Sequence, residues 1–172
     1  MRILGVDPGL RVTGYAVLTA GPGPLPRLEL LEAGVIRTDA GAGIASRLKT
    51  LHDALEQIVR EHRPETLAIE KLFAHSEHPT TAILMAHARG VVCLVSGLSG
   101  VPLVSLPSTH VKKAVTGRGH ATKAQIQRTV QQRLGLRAAP EPADVSDAIA
   151  IAMACAMNPR LAAPRARRLV AA

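Results

Sequence analysis

Residues 3–9 read Ile3-Leu4-Gly5-Val6-Asp7-Pro8-Gly9, an apolar run that ends in one carboxylate and a forced turn. Ile3, Leu4 and Val6 suit a buried strand, and Pro8 with Gly9 must break it, which puts Asp7 at the strand's C-terminal end or in the turn. Asp-Pro-Gly is also ordinary turn chemistry, so taken alone Asp7 has a sufficient structural explanation. It gains a chemical meaning only if other acids reach the same place.

Working outward, Val12 to Ala20 and Leu28 to Ile36 read as second and third strands, separated by the Gly/Pro-rich Gly21 to Pro26. Connections this short imply an antiparallel meander. Ile44, Leu48, Leu51, Leu55, Ile58 and Val59 recur at intervals of three and four, which is one face of a helix, and Pro64 ends it. After a helix, the short apolar run Thr66 to Ile69 can return parallel to the first strand, and it ends in Glu70. Thr80 to Leu98 is rich in Ala, Leu, Met and Val and predicts a long helix that is central or at a subunit interface. Val101 to Leu106 is expected as a fifth strand. Ser108 opens a helix carrying Lys112 and Lys113, and Gly117-Arg118-Gly119 interrupts it. Thr122 to Leu134 resumes helical spacing with Thr122 as a cap. Asp144 to Met157 forms an Ala-rich helix stopped by Asn158-Pro159. The fold class expected is α/β with a mixed five-stranded sheet: a single domain over residues 1–158, then a basic, loose tail over 159–172.

Asp144 and Asp147 lie three apart at a helix start, so both project from one face. Acids in a first turn are also favoured by the helix dipole, and capping explains them if that helix stands alone. The set is more informative than its members: Asp7 and Glu70 at two strand ends, with two further acids on a small-residue helix able to pack beside them. Crowded carboxylates repel unless a cation lies between them, and all-oxygen acidic sites suit Mg²⁺ or Mn²⁺. Two such ions ~4 Å apart can activate water and steady both oxygens of an in-line displacement at phosphorus.

The 172 residues carry 21 Lys and Arg against 13 Asp and Glu, a formal charge of +8, which favours a polyanionic partner such as nucleic acid over a merely soluble basic protein. No apolar run is read as long enough for a bilayer span, and a strand in place of a charged leader suggests a cytosolic protein. Cys93 and Cys155 are expected to be reduced core thiols. With one Phe, one Tyr and no Trp, the core must be aliphatic, and Phe73 stands out.

ILGVDPGLRVTGYAV, IRT with SRLK, AIEKLF, ARGV, VKKAVTG and ADVSDAIAIA resemble, in this order and along essentially the whole chain, the RuvC family of Holliday-junction resolvases. The resemblance implies an RNase H-like fold and a homodimer that binds a four-way DNA junction. It also implies paired, metal-dependent nicks in strands of like polarity and cooperation with a branch-migration motor. By position, Asp7, Glu70, Asp144 and Asp147 fall on the family's metal-binding acids, with two Mg²⁺ ions expected per site. Lys112 and Lys123 fall on its DNA-contacting or catalytic lysines, and Phe73 on the aromatic that stacks with a base. A base stacked on an aromatic ring gains ~1–3 kcal/mol, although without the resemblance a lone Phe reads better as a core residue. Lys123 heads a helix where it can neutralise a phosphate, or can simply be solvated. Whether Lys112 or Lys113 points to DNA stays open, and Arg118 is expected to add a phosphate contact. His75 and His78 receive no role. A non-catalytic junction-binding protein of the same fold is the main alternative. An actin-like ATPase ranks last, since the chain is short for two lobes and shows no second phosphate loop.

Overall fold

The structure is a computed structural model that describes residues 1–23, 25–71 and 79–158. Its elements in chain order are β1 (Arg2–Asp7), β2 (Val12–Ala20), β3 (Leu28–Arg37), α1 (Ile44–His62), β4 (Thr66–Glu70), α2 (Pro79–Ser99), β5 (Leu103–Leu106), α3 (Ser108–Thr116), α4 (Lys123–Leu134) and α5 (Ala143–Ala156). The sheet order is β3-β2-β1-β4-β5. Short turns make β1, β2 and β3 antiparallel, whereas α1 and α2 carry the chain back so that β4 and β5 run parallel to β1. The mixed sheet read from the sequence is therefore present, with every strand in its expected place.

Alternation along the strands divides two cores. Leu4, Val6, Val17, Leu67 and Ile69 face a layer formed by Leu51, Leu55 and Val59 of α1 and Ala88, Val92 and Val95 of α2. Ile3, Ala16, Leu18 and Ala68 face α5 on the other side. Period two then places Asp7, two residues after Gly5, and Glu70, two after Ala68, on the α5 face.

The central helix is α5, not α2. From Val145 to Ala156 every α5 residue except Asp147 is buried, because α3 and α4 cover its outer side with Val111, Val115, Ile126 and Val130. By contrast, α2 leaves Ile83, Leu84, Leu94 and Leu98 exposed. Thr80–Ser99 has a mean hydropathy of 1.6 and, by length and composition, could cross a membrane, which corrects the sequence-based view that no run approaches that length. In this fold it packs as an outer layer instead, with Ala88, Val91, Val92 and Val95 turned inward. Cys93 is exposed on the same helix, contrary to the expected core position; Cys155 is buried as expected, and burial pushes its thiol up to about 12. Helix α1 runs to His62, further than its apolar spacing showed, because Arg63 takes a left-handed cap (φ 47°) ahead of Pro64 and its amide donates to Val59.

Candidate active site

Glycine decides how close the acids come. In β1 and β2, Asp7 pairs with Gly14, and Gly5 pairs with Ala16. A Cβ on Gly14 would stand 2.0 Å from the Asp144 carbonyl oxygen, and one on Gly5 would stand 2.4 Å from that of Ala148. The Ala-rich α5 therefore lies directly on the sheet backbone, closer than any side chain at these two positions allows. Its start is tied down by Pro140, whose carbonyl accepts from Ser146 Oγ at 3.0 Å and from Gln127 Nε2 of α4 at 2.9 Å. The turn after Asp7 is closed by the buried Thr13, whose hydroxyl donates to Gly9 O at 2.6 Å. The residue at the N-cap of α5 is Pro142, and no side chain caps the helix, so Asp144 and Asp147 are not its capping residues.

Asp7 and Glu70 end the adjacent parallel strands β1 and β4, one step beyond the Val6–Ile69 pair. The Asp7 carboxyl is pushed up to about 7, first by burial and then by the negative charges of Asp147, Glu70 and Asp144, with Lys123 opposing. Glu70 is also raised by burial; a Ser108 hydrogen bond, Lys112 and Lys123 pull it down, while Asp147 pushes it up. Lys123 Nζ stands 3.4 Å from Asp147 Oδ2, and the carboxylates hold its proton more firmly. The sheet and α5 thus bring together Asp7, Glu70, Asp144 and Asp147, and α4 adds Lys123, with Lys112 of α3 on the Glu70 side.

The other expected residues lie elsewhere. Lys113 is exposed on α3 next to Lys112 and has no part in this electrostatic set. Arg118 is exposed in the loop after Gly117, where its backbone N–H donates to Thr116 Oγ1 at 3.2 Å. Phe73, His75 and His78 lie outside the described residues. Thr122 is the expected cap of α4 and forms a capping box with Gln125, which fixes the start of the helix and hence Lys123.

Two further groups around the acids were given no role from the sequence, although Arg89 lies in the ARGV stretch of the family resemblance. Ser108 is near Glu70. The Arg89 guanidinium of α2 donates to the Glu70 carbonyl at 2.6 Å and to Ser105 Oγ at 2.9 Å. The signal for Gly5 and Gly14 was available, since glycine inside a strand often marks close backbone approach.

An all-carboxylate set around a carboxyl whose ionisation is suppressed by burial first and by its acidic neighbours next fits a hard divalent cation, whose charge would oppose that suppression. The set is open: among the described residues, the trio of ligand groups lying within 4.8 Å of one another is Glu32, Glu61 and His62. There, Glu32 already accepts from Tyr15 Oη at 2.7 Å and pairs with His62 Nε2 at 2.8 Å, which links β2, β3 and α1.

The fold and these acids define a class: an RNase H-like α/β domain with carboxylates at two adjacent strand ends and on the helix laid across them. A family model described as "Crossover junction endodeoxyribonuclease RuvC" matches residues 3–155, and the chain belongs to that family. A RuvC of Rhodopirellula baltica is 48% identical over 151 residues, which cover 88% of this chain and 83% of that protein. The Thermus thermophilus RuvC structure matches with a TM-score of 0.84 at 30% identity, covering 93% of this chain and 96% of that one. A structure of T. thermophilus RuvC in complex with Holliday junction substrate gives the same TM-score and identity over 91% of this chain and 93% of that chain.

Proposed function

We propose that this chain is a metal-dependent endonuclease that resolves four-way DNA junctions in recombination and repair by paired nicks in strands of like polarity. The observation that carries the proposal is the convergence of Glu70, Asp144 and Asp147 on Asp7, a buried carboxyl that burial first and then these acids push up to about 7, beside Lys123 and within a chain of charge +8. Asp7, Glu70, Asp144 and Asp147 would hold two Mg²⁺ ions, with Mn²⁺ as a substitute. Bound there, such ions would supply Lewis acidity to the scissile phosphate and to an attacking water.

The chain's own groups do the rest. Lys123, exposed at the head of α4 yet oriented by Asp147, meets the charge that builds on the phosphate as the bond breaks. Lys112 offers a second cation on the Glu70 side. Lys113 and Arg118 contact flanking phosphates, and Phe73 stacks on a base near the crossover. The apolar face of α2 pairs with a second copy, since two nicks across a junction need two sites related by a dyad. A DNA substrate puts the protein in the cytoplasm.

A labelled four-way junction and a matched linear duplex, incubated with the protein and Mg²⁺, test the reading. Symmetric nicking of the junction alone is expected, stopping in EDTA. Asp7→Asn should still bind the junction but not cut it; full cutting by that variant would sink the mechanism, and binding without any nicking by the parent would favour a purely architectural role.

A further inference from the structure

The Lys71 amide donates to Leu106 O of β5 at 2.8 Å, so the carbonyl of the same trans peptide, that of Glu70, faces away from β5 toward β1. Continued parallel pairing would serve that carbonyl with the amide of residue 8, because Asp7 stands opposite Glu70 one step past the Val6–Ile69 pair. Residue 8 is proline and has no N–H. The donor comes instead from α2, where Arg89 Nη1 donates to Glu70 O at 2.6 Å and Nη2 donates to Ser105 Oγ at 2.9 Å. Arg89 extends from the helix layer that carries Ala88, Val91 and Val92 into the core, and it clamps the ends of β4 and β5 together. The proline that turns the chain at Asp7 thus leaves the neighbouring acid's backbone without its sheet partner, and one guanidinium restores it.

From this we infer that Arg89 is a positioning residue that fixes the backbone of Glu70 and so aims its carboxylate at the Asp7 side, setting how tightly the acids hold a divalent cation. The inference rests on the reading of Glu70 as a metal ligand. A charge-assisted, forked donor on a ligand's own backbone fixes orientation as well as position. Loss of such an outer partner typically weakens metal binding by about 10- to 100-fold.

The test titrates Mn²⁺ into the full-length protein without DNA, following the free ion by electron paramagnetic resonance, and measures junction affinity in Ca²⁺ and the melting midpoint alongside. Arg89→Met is expected to weaken Mn²⁺ binding by about tenfold, with junction affinity held within about twofold. Arg89→Lys keeps the charge and one donor, so it should recover part of the loss; it also carries the test if Arg89→Met does not fold. A merely structural role predicts a lowered melting midpoint with unchanged Mn²⁺ affinity in the folded protein, and that result overturns the inference. Glu70→Gln separates the two levels. If it leaves Mn²⁺ affinity unchanged, Glu70 is not a ligand and the underlying reading fails; if it weakens Mn²⁺ while both Arg89 variants do not, only the positioning role falls.

Discussion

Gly14 lies against the main chain of Asp144, so close that a Cβ on the glycine would stand 2.0 Å from the Asp144 carbonyl oxygen. Because Gly14 also pairs with Asp7, this one contact sets the spacing between a strand acid and a helix acid. Gly14→Ala must push the start of α5 outward, since the opposing atom is backbone and cannot rotate away. Overpacking of this kind costs about 1–3 kcal/mol, and denaturant unfolding should show a lower midpoint. Junction cleavage should fall further than the stability loss explains, because the acids separate. A variant as active and stable as the parent would show that α5 can move without cost.

The raised Asp7 carboxyl has a consequence for pH. Unfolded, Asp7 loses its proton near 3.8; folded and without metal, it keeps it to about 7. Between these values the folded state holds more protons, so this group makes stability fall as pH rises from about 4 to 7 and leaves it flat above. A shift of this size corresponds to at most about 4 kcal/mol, and nearer 2 once partial solvent contact is counted. Melting curves of the metal-free protein should show this slope, and Asp7→Asn should flatten it and stabilise the protein at pH 7.5. Metal binding must displace the same proton, so apparent Mg²⁺ affinity should rise about tenfold per pH unit up to about 7 and then level. Parent and Asp7→Asn curves that run parallel from pH 4 to 7 would contradict the shift.

Lys112 and Lys113 are adjacent in sequence but not equivalent in space. Only Lys112 acts on Glu70, whereas Lys113 points from α3 into solvent. Single-turnover cleavage at saturating protein should therefore drop roughly a hundredfold in Lys112→Ala, within the range for losing one donor at developing charge. Lys113→Ala should change that rate little and weaken junction binding more at low salt than at high. The reverse ranking would place the working cation on the other side of the helix.

How much of this was legible before the structure depends on the kind of signal. The strands announce themselves through apolar runs bounded by Gly and Pro, and Asp7 and Glu70 were readable because each ends such a run. Asp144 and Asp147 were visible as a pair, but their alternative explanation as caps fell only when Pro142 proved to hold the N-cap. The choice between Lys112 and Lys113 needed the rotation of α3, which a nine-residue helix with two lysines does not encode. For α2 the sequence leaves two places open, central or at a subunit interface, because both α2 and α5 are rich in small apolar residues; what separates them is that α5 meets glycines on the sheet while α2 meets side chains. Arg89 stands in the ARGV stretch of the resemblance, but its role is not legible there because its partner is a backbone carbonyl, and only the missing amide of Pro8 explains why that carbonyl needs one.

The outer face of α2 supports a last prediction. Ile83, Leu94 and Leu98 are 58%, 53% and 71% exposed along one helix whose opposite side is packed into the sheet layer. A run of large exposed apolar side chains such as this suits burial against a partner, and the proposed symmetric junction substrate needs two matching sites. Sedimentation should give a dimer, and Leu94→Glu with Leu98→Glu should give a folded monomer, since neither side chain contributes to the core. That monomer should keep its metal affinity, because the acids all come from one chain, yet lose coordinated nicking: uncoupled single-strand nicks should replace paired ones on a supercoiled cruciform plasmid, seen as nicked circles instead of linear product. A double variant that remains dimeric would move the interface away from α2, and a monomer that still linearises the plasmid would sever pairing of the nicks from dimerisation.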